Sequence, residues 1–116
     1  MAWEVEGTDQ FAEWYCNLEP VEQDAVDTAV DHLEAAGPGL GRPLVDTIEG
    51  SRYPNMKELR PGRRGLRILF AFDPRRTAIL LLGGDKTNRW EEWYIEMIPI
   101  ADRLYDEHLE AIEGED

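Results

Sequence analysis

Apolar and polar residues alternate at Trp3-Glu4-Val5-Glu6, the period of a half-buried strand. Gly7-Thr8 ends that pattern, and Thr8 suits a helix N-cap. Phe11, Trp14, Tyr15 and Leu18 then recur at helical spacing. Pro20 suits the first turn of a second helix, because its missing N–H is an orphan there in any case. That helix gathers Val26, Ala29, Val30, Leu33 and Ala36 on one stripe and leaves Glu22, Asp24, Asp27, Asp31 and Glu34 largely outside it. Gly37-Pro38 predicts its end. Two antiparallel helices are therefore expected ahead of the main sheet.

The loop from Ala36 to Pro43 is glycine-rich, but no strand precedes it and no Lys-Ser/Thr follows, so it reads as a connector rather than a phosphate loop. Leu44–Ile48 reads as a short strand or an irregular approach, and Glu49-Gly50-Ser51 as a turn. Tyr53–Leu59 begins the strand that enters the stretch around which the chain is organised, Met56–Gly84. Three strands are expected there, joined by tight turns at Arg60-Pro61-Gly62 and Asp73-Pro74-Arg75-Arg76. Alternation places Met56, Glu58 and Arg60 on one face of the first strand and Lys57 and Leu59 on the other. In Leu66–Phe72 it places Arg67, Leu69 and Ala71 together, opposite Leu66, Ile68, Phe70 and Phe72. Ala78–Leu82 is apolar on both faces, as a covered interior strand is.

After the polar loop Asp85–Arg89, a helical stripe runs through Trp90, Trp93, Tyr94, Met97, Ala101, Leu104, Tyr105, His108 and Ile112. It stays in phase across Pro99, which predicts a kinked helix or two helices meeting there. The tail Glu113–Asp116 is expected to fray. The fold class is α+β: a small, mostly antiparallel sheet with two N-terminal helices and one C-terminal helix, all within one domain over residues 1–116.

Charge adds a second layer. The net charge of −13 argues against general nucleic-acid affinity, but the charge is segregated. Residues 1–41 hold 10 acids and no Lys or Arg; residues 42–89 hold 11 bases and 5 acids; residues 90–116 hold one base and 10 acids. One cationic surface against an acidic remainder is expected, although arginines paired to acidic helices would satisfy the same counts. A single cysteine, Cys16, allows no internal disulfide and fits a reducing cytosol. No signal peptide stands out, and the longest apolar run, Ala78–Leu82, is too short to span a bilayer.

Most catalytic motifs are missing. His32, His108 and Cys16 have no metal-ligand spacing, so neither a metal nor another cofactor is implied. No GxSxG nucleophile is present. The arginine and lysine set remains. Fixed cations can cleave RNA without metal: the 2′-hydroxyl attacks the adjacent phosphorus, basic side chains steady the pentavalent anion, and an acid protonates the leaving oxygen. Arg67 stands out because it lies within a strand, where a charge is costly unless paired or used. Trp90, Trp93 and Tyr94 suit either base stacking or the core.

The order strand, two helices, Met56-Lys57-Glu58-Leu59-Arg60, Gly65-Leu66-Arg67-Ile68-Leu69-Phe70, Ala78–Leu82, Gly84-Asp85-Lys86 and a final helix with Ile100-Ala101 resembles the RelE/HigB toxin family, in its phage-derived HigB-like branch. The resemblance implies a microbial-RNase-like fold, ribosome-associated mRNA cleavage and neutralisation by a helix-turn-helix antitoxin. It also implies that Arg67 contacts the scissile phosphate, and that Lys57 or Lys86 assists proton transfer. Arg60 and Arg89 would hold phosphates, with Arg63, Arg64 and Tyr94 completing the RNA contacts. Glu58 stands where RelE has a lysine.

Two functions are therefore expected: a metal-independent endoribonuclease toxin acting on mRNA in the cytoplasm, or a non-catalytic protein-interaction domain on the same fold.

Overall fold

The computed structural model describes residues 2–63 and 65–114. Arg64, among the expected RNA contacts, and residues 115–116 of the expected frayed tail lie outside them.

The elements follow in the order β1 (Val5–Gly7), α1 (Asp9–Cys16), α2 (Pro20–Ala36), a 3-10 turn at Gly37–Gly39, β2 (Val45–Thr47), β3 (Lys57–Leu59), β4 (Leu66–Phe72), β5 (Ala78–Asp85) and α3 (Trp90–Glu113). The sheet order is β1-β5-β4-β3-β2. Only β1 runs parallel to its neighbour, β5; the other pairings are antiparallel. The class is α+β, as the pattern of elements suggested.

Each helix end has a local cause. The Thr8 hydroxyl accepts the Phe11 N–H at 3.1 Å and starts α1. Glu19 and Glu22 form a capping box ahead of α2, with Pro20 in its first turn. Gly37 ends α2 at φ 58°, a conformation that suits glycine.

Helices cover both faces of the sheet. On one face Val26, Ala29 and Leu33 of α2 pack with Leu59, Ile68, Phe70 and Leu80. On the other, Trp93, Ile98, Ala101 and Leu104 of α3 pack with Met56, Leu69, Ala71 and Leu81. A register shift between Leu69 and Phe70 breaks the alternation on β5, so the consecutive residues Leu81 and Leu82 both join the α3 core. Each large side chain that leaves water in these layers contributes about 1.5–3 kcal/mol.

Three boundaries differ from the sequence reading. β1 starts at Val5 rather than Trp3, whose N–H is drawn to the Glu34 carbonyl at 2.8 Å. β3 holds only Lys57–Leu59, because Ser51, Arg52 and Tyr53 are tied to Asp102 and Asp106 of α3 instead of a partner strand. β5 runs on through Gly83 and Gly84 to Asp85. A Cβ on Gly83 would lie 2.3 Å from the Trp14 ring, and one on Gly84 would lie 2.6 Å from the Trp93 ring. The two glycines thus admit one indole on each face of the strand. The C-terminal segment is one 24-residue helix with Pro99 inside it.

Gly84→Ala should destabilise the protein by about 1–3 kcal/mol, the usual cost of overpacking. Gly39→Ala, with nothing within 4 Å of the added carbon, should change little. Thermal melts followed by circular dichroism read both, and equal midpoints for the two variants would contradict the indole-on-glycine packing.

Candidate functional site

Strand alternation brings the first members of the site together. Glu58 lies opposite Leu69 of β4 and Asp46 of β2, and Leu69 belongs to the core under α3. Arg67 has the same parity as Leu69 and pairs with Gly84, the residue that receives Trp93. Glu58 and Arg67 therefore both face α3. Arg60 follows β3 with the parity of Glu58, and its N–H is fixed by the Leu44 carbonyl at 2.7 Å. Tyr94 comes from the first turn of α3. Lys86 follows β5, and its N–H donates to the Gly65 carbonyl at 3.0 Å. A Cβ on Gly65 would lie 2.6 Å from the Thr87 nitrogen, so this close approach of the loop needs glycine.

These side chains meet at one carboxylate. Glu58 is only 4% exposed. Its Oε1 accepts the Tyr94 hydroxyl at 2.6 Å and faces the Arg67 Nε at 3.5 Å. Its Oε2 accepts Arg60 Nη2 at 2.9 Å. Arg60 also reaches Asp46 at 3.4 Å, and Arg67 Nη1 donates to the Leu66 carbonyl at 2.8 Å. Buried Nε donors on both Arg60 and Arg67 have no hydrogen-bond partner. An ionised carboxylate at this depth is tolerated because it is paired; removing one partner from such a pair costs about 3–5 kcal/mol.

Lys86 forms no salt bridge among the described residues. Its Nζ lies 4.9 Å from the centre of the Trp90 ring and 5.1 Å from that of Tyr94, within cation–π range. Burial lowers its pKa below the ordinary lysine value of 10.5; the Arg67 and Arg60 charges lower it further, and Glu58 partly restores it. Burial and the bond to Glu58 push the Tyr94 phenol up to about 12, so it remains a hydrogen-bond donor at neutral pH. Arg42 also binds Asp46, at 2.9 Å, so Arg42, Arg60, Arg67 and Lys86 against Glu58 and Asp46 leave the cluster with two net positive charges.

An open groove of about 610 Å³ adjoins the cluster and shares Glu58 and Tyr94 with it. Ile48, Ile95 and Ile98 give it an apolar wall, and Glu91 adds an acidic one; the cations border it without lining it. A second groove of about 540 Å³, between α2 and the β1–β5 edge, is walled by Glu6, Asp27, Asp31 and Glu34 and offers a phosphate no counter-charge.

The structure thus groups Arg67, Arg60, Lys86 and Tyr94 and leaves the other expected site residues apart. Lys57 pairs with Phe70, so it points to the α1–α2 face, where its Nζ lies 3.4 Å from the Thr47 hydroxyl. Arg89 pairs with Glu96 of α3. Arg63 is exposed in the β3–β4 connection. Arg75 sits at the far end of β4, bound to Asp73 and Glu6, and Arg76 stacks on Trp3. Of the two tryptophans near the site, Trp93 is core at 1% exposure, whereas Trp90 is 65% exposed on a backbone with φ 36°. Asp46 is a partner that sequence reading missed: its place opposite Glu58 depends on a pairing with no local signal.

Residues 13–106 match the family described as phage derived protein Gp49-like. Two Mycobacterium tuberculosis toxins are similar to the chain. HigB2 is 49% identical over 108 residues, covering 90% of this chain and 54% of its own length. HigB3 is 50% identical over 105 residues, covering 90% of this chain and 92% of its own. The chain therefore spans about half of one relative and nearly all of the other. Among solved structures, the archaeal RelE–RelB complex from Pyrococcus horikoshii matches with a TM-score of 0.60 at 17% identity, over 74% of this chain and 97% of that one. That likeness concerns the fold. Among the described residues no helix is long and apolar enough to cross a membrane.

The two lysines make a charge test clean. With the lysines carrying ¹³C-methyl labels, Lys86 should titrate below the ordinary value, and Arg67→Ala, which removes a like charge, should raise its pKa. A Lys86 pKa that stays put or falls in that variant would contradict the proximity of the two cations.

Proposed function

The chain belongs to the phage-derived Gp49-like family, in the HigB branch of the RelE-type toxins, and from that membership we propose that it is the toxin of a toxin–antitoxin pair, cleaving mRNA at the ribosome without a metal ion. The observation that carries this reading is the meeting of Arg60, Arg67, Lys86 and Tyr94 around one buried carboxylate.

In this mechanism Arg67 and Arg60 hold the scissile phosphate and stabilise the charge that builds on its oxygens as the 2′-hydroxyl attacks. The P–O5′ bond breaks, leaving a 2′,3′-cyclic phosphate on one product and a 5′-hydroxyl on the other. The 2′-hydroxyl proton passes to water, and the Lys86 ammonium protonates the departing 5′ oxygen. Its lowered pKa suits that task, since a general acid works best with a pKa near the working pH. Tyr94 donates its hydrogen bond to Glu58 throughout. Lys57, on the other face, takes no part at this phosphate. Arg63 and Arg89 would meet RNA only away from the cluster.

The neutralising partner in this reading is a helix-turn-helix antitoxin; the archaeal RelE solved together with RelB supports an antitoxin partner. A second reading, a non-catalytic protein-binding domain, draws on one observation: Arg60 is already paired with two carboxylates in a chain of net charge −13.

Induction of the chain alone in bacteria separates the two. Growth arrest with new, site-specific mRNA 5′ ends is expected. Arg67→Ala, expressed to the same folded level, should lose arrest and at least about a hundredfold in cleavage, the scale of removing one oxyanion donor. Full toxicity in that variant would refute the assignment, and normal growth with intact mRNA in the wild type would favour the binding domain.

A further inference from the structure

The proposed reaction gives no task to Glu58, the acid that Arg60, Arg67 and Tyr94 share. This residue is also the most buried and the most connected of the cluster. Its side chain is 6% exposed, and both oxygens are engaged, by Tyr94 and Arg67 on one and by Arg60 on the other. These partners come from three elements: β4, the segment after β3, and the first turn of α3. A carboxylate so placed touches no substrate phosphate by attraction, because the two would repel. It does oppose the mutual repulsion of two guanidiniums and an ammonium, and it fixes the direction of the Arg60 and Tyr94 donors.

Resting on the ribonuclease reading, we infer that Glu58 is the positioning residue of the cation cluster: its buried carboxylate, anchored by the Tyr94 hydroxyl, positions Arg60 and Arg67 for the phosphate. Arg67 illustrates the effect. Its Nη1 is held by the Leu66 carbonyl at 2.8 Å and its Nε edge faces Glu58, so the guanidinium is located from two sides on a central strand. Arg60 is likewise held between Glu58 and Asp46. A guanidinium fixed before RNA arrives needs no reorganisation as charge develops. The charged groups facing Lys86 are Arg67 on β4 and Glu58 and Arg60 at β3, and Glu58 alone among them favours the ammonium.

Glu58→Gln keeps the size and an acceptor oxygen but removes the charge. It should lower kcat by about tenfold to a hundredfold, the scale of a misplaced catalytic group, while KM for a single-stranded RNA or ribosome-bound mRNA changes little or falls. The high-pH limb of its rate profile should move to lower pH, because Lys86 loses the charge that favours its ammonium. A purely structural role would instead lower the melting temperature and leave kcat per folded molecule and the pH limb where they were.

An RNA-free measurement accompanies the kinetics. In the unmodified protein, the Arg67 Nε–H NMR signal should report a guanidinium far less mobile than that of exposed Arg63. Arg67 as mobile as Arg63 would overturn the inference even if Glu58→Gln fails to fold. If the wild type cleaves RNA and Glu58→Gln retains its kcat and pH limb, the positioning role falls and the ribonuclease reading stands. If the wild type cleaves nothing, the ribonuclease reading falls, and the inference that depends on it falls too.

Discussion

A carboxylate buried on a covered strand sets the terms for this protein. Glu58 lies on a short strand between β2 and β4, beneath the start of α3, where an unpaired negative charge would destabilise the fold by several kcal/mol. Two arginines and a tyrosine relieve that cost. The acid in turn offsets the repulsion between the two arginines. Each charge is the condition for the others, so the cluster is a structural unit before it is a chemical one. Its parts are carried by a sheet whose helices cover both faces, which gives the donors a rigid frame.

The frame depends on the placement of α3, and that placement depends on two glycines. Gly83 and Gly84 leave room on opposite faces of β5 for Trp14 of α1 and Trp93 of α3. The Trp93 indole rests on Gly84, directly across from Arg67 in the ladder. One residue later in the helix, Tyr94 reaches Glu58. Packing on the strand thus sets the distance between the phenol and the carboxylate, and the same helical turn puts Lys86 between the Trp90 and Tyr94 rings.

Much of this was legible in the residues. Alternation placed Glu58 with Arg60 on one face of β3 and Arg67 with Leu69 on one face of β4, although only the ladder shows that the two faces match, and caps at Thr8, Pro20 and Gly37 marked the N-terminal helices. What failed were patterns overruled by tertiary contacts. Gly83-Gly84 reads locally as the end of a strand, but the indoles make it strand interior. Tyr53 reads as strand, yet its hydroxyl and backbone are claimed by Asp106 and Ser51. Trp90 reads as the first residue of the apolar stripe, yet it starts the helix at positive φ and faces water. Lys57 was readable as lying on the face opposite Arg60; its exclusion from the cluster became evident only when that face proved to pack against α2.

The segregation of charge also finds a physical sense. Four acids of the first 41 residues, Glu6, Asp27, Asp31 and Glu34, wall the groove on the α2 side, and three of the bases, Arg60, Arg67 and Lys86, gather where β3, β4 and β5 approach α3. A protein that repels RNA over most of its surface would engage it at one short stretch of backbone, with the salt dependence of few contacts rather than many. The chemistry ascribed to that stretch is tested most directly by the end groups of mRNA cut on the ribosome by the purified protein. The account predicts 2′,3′-cyclic phosphate and 5′-hydroxyl ends. Ends bearing 3′-hydroxyl and 5′-phosphate would contradict it.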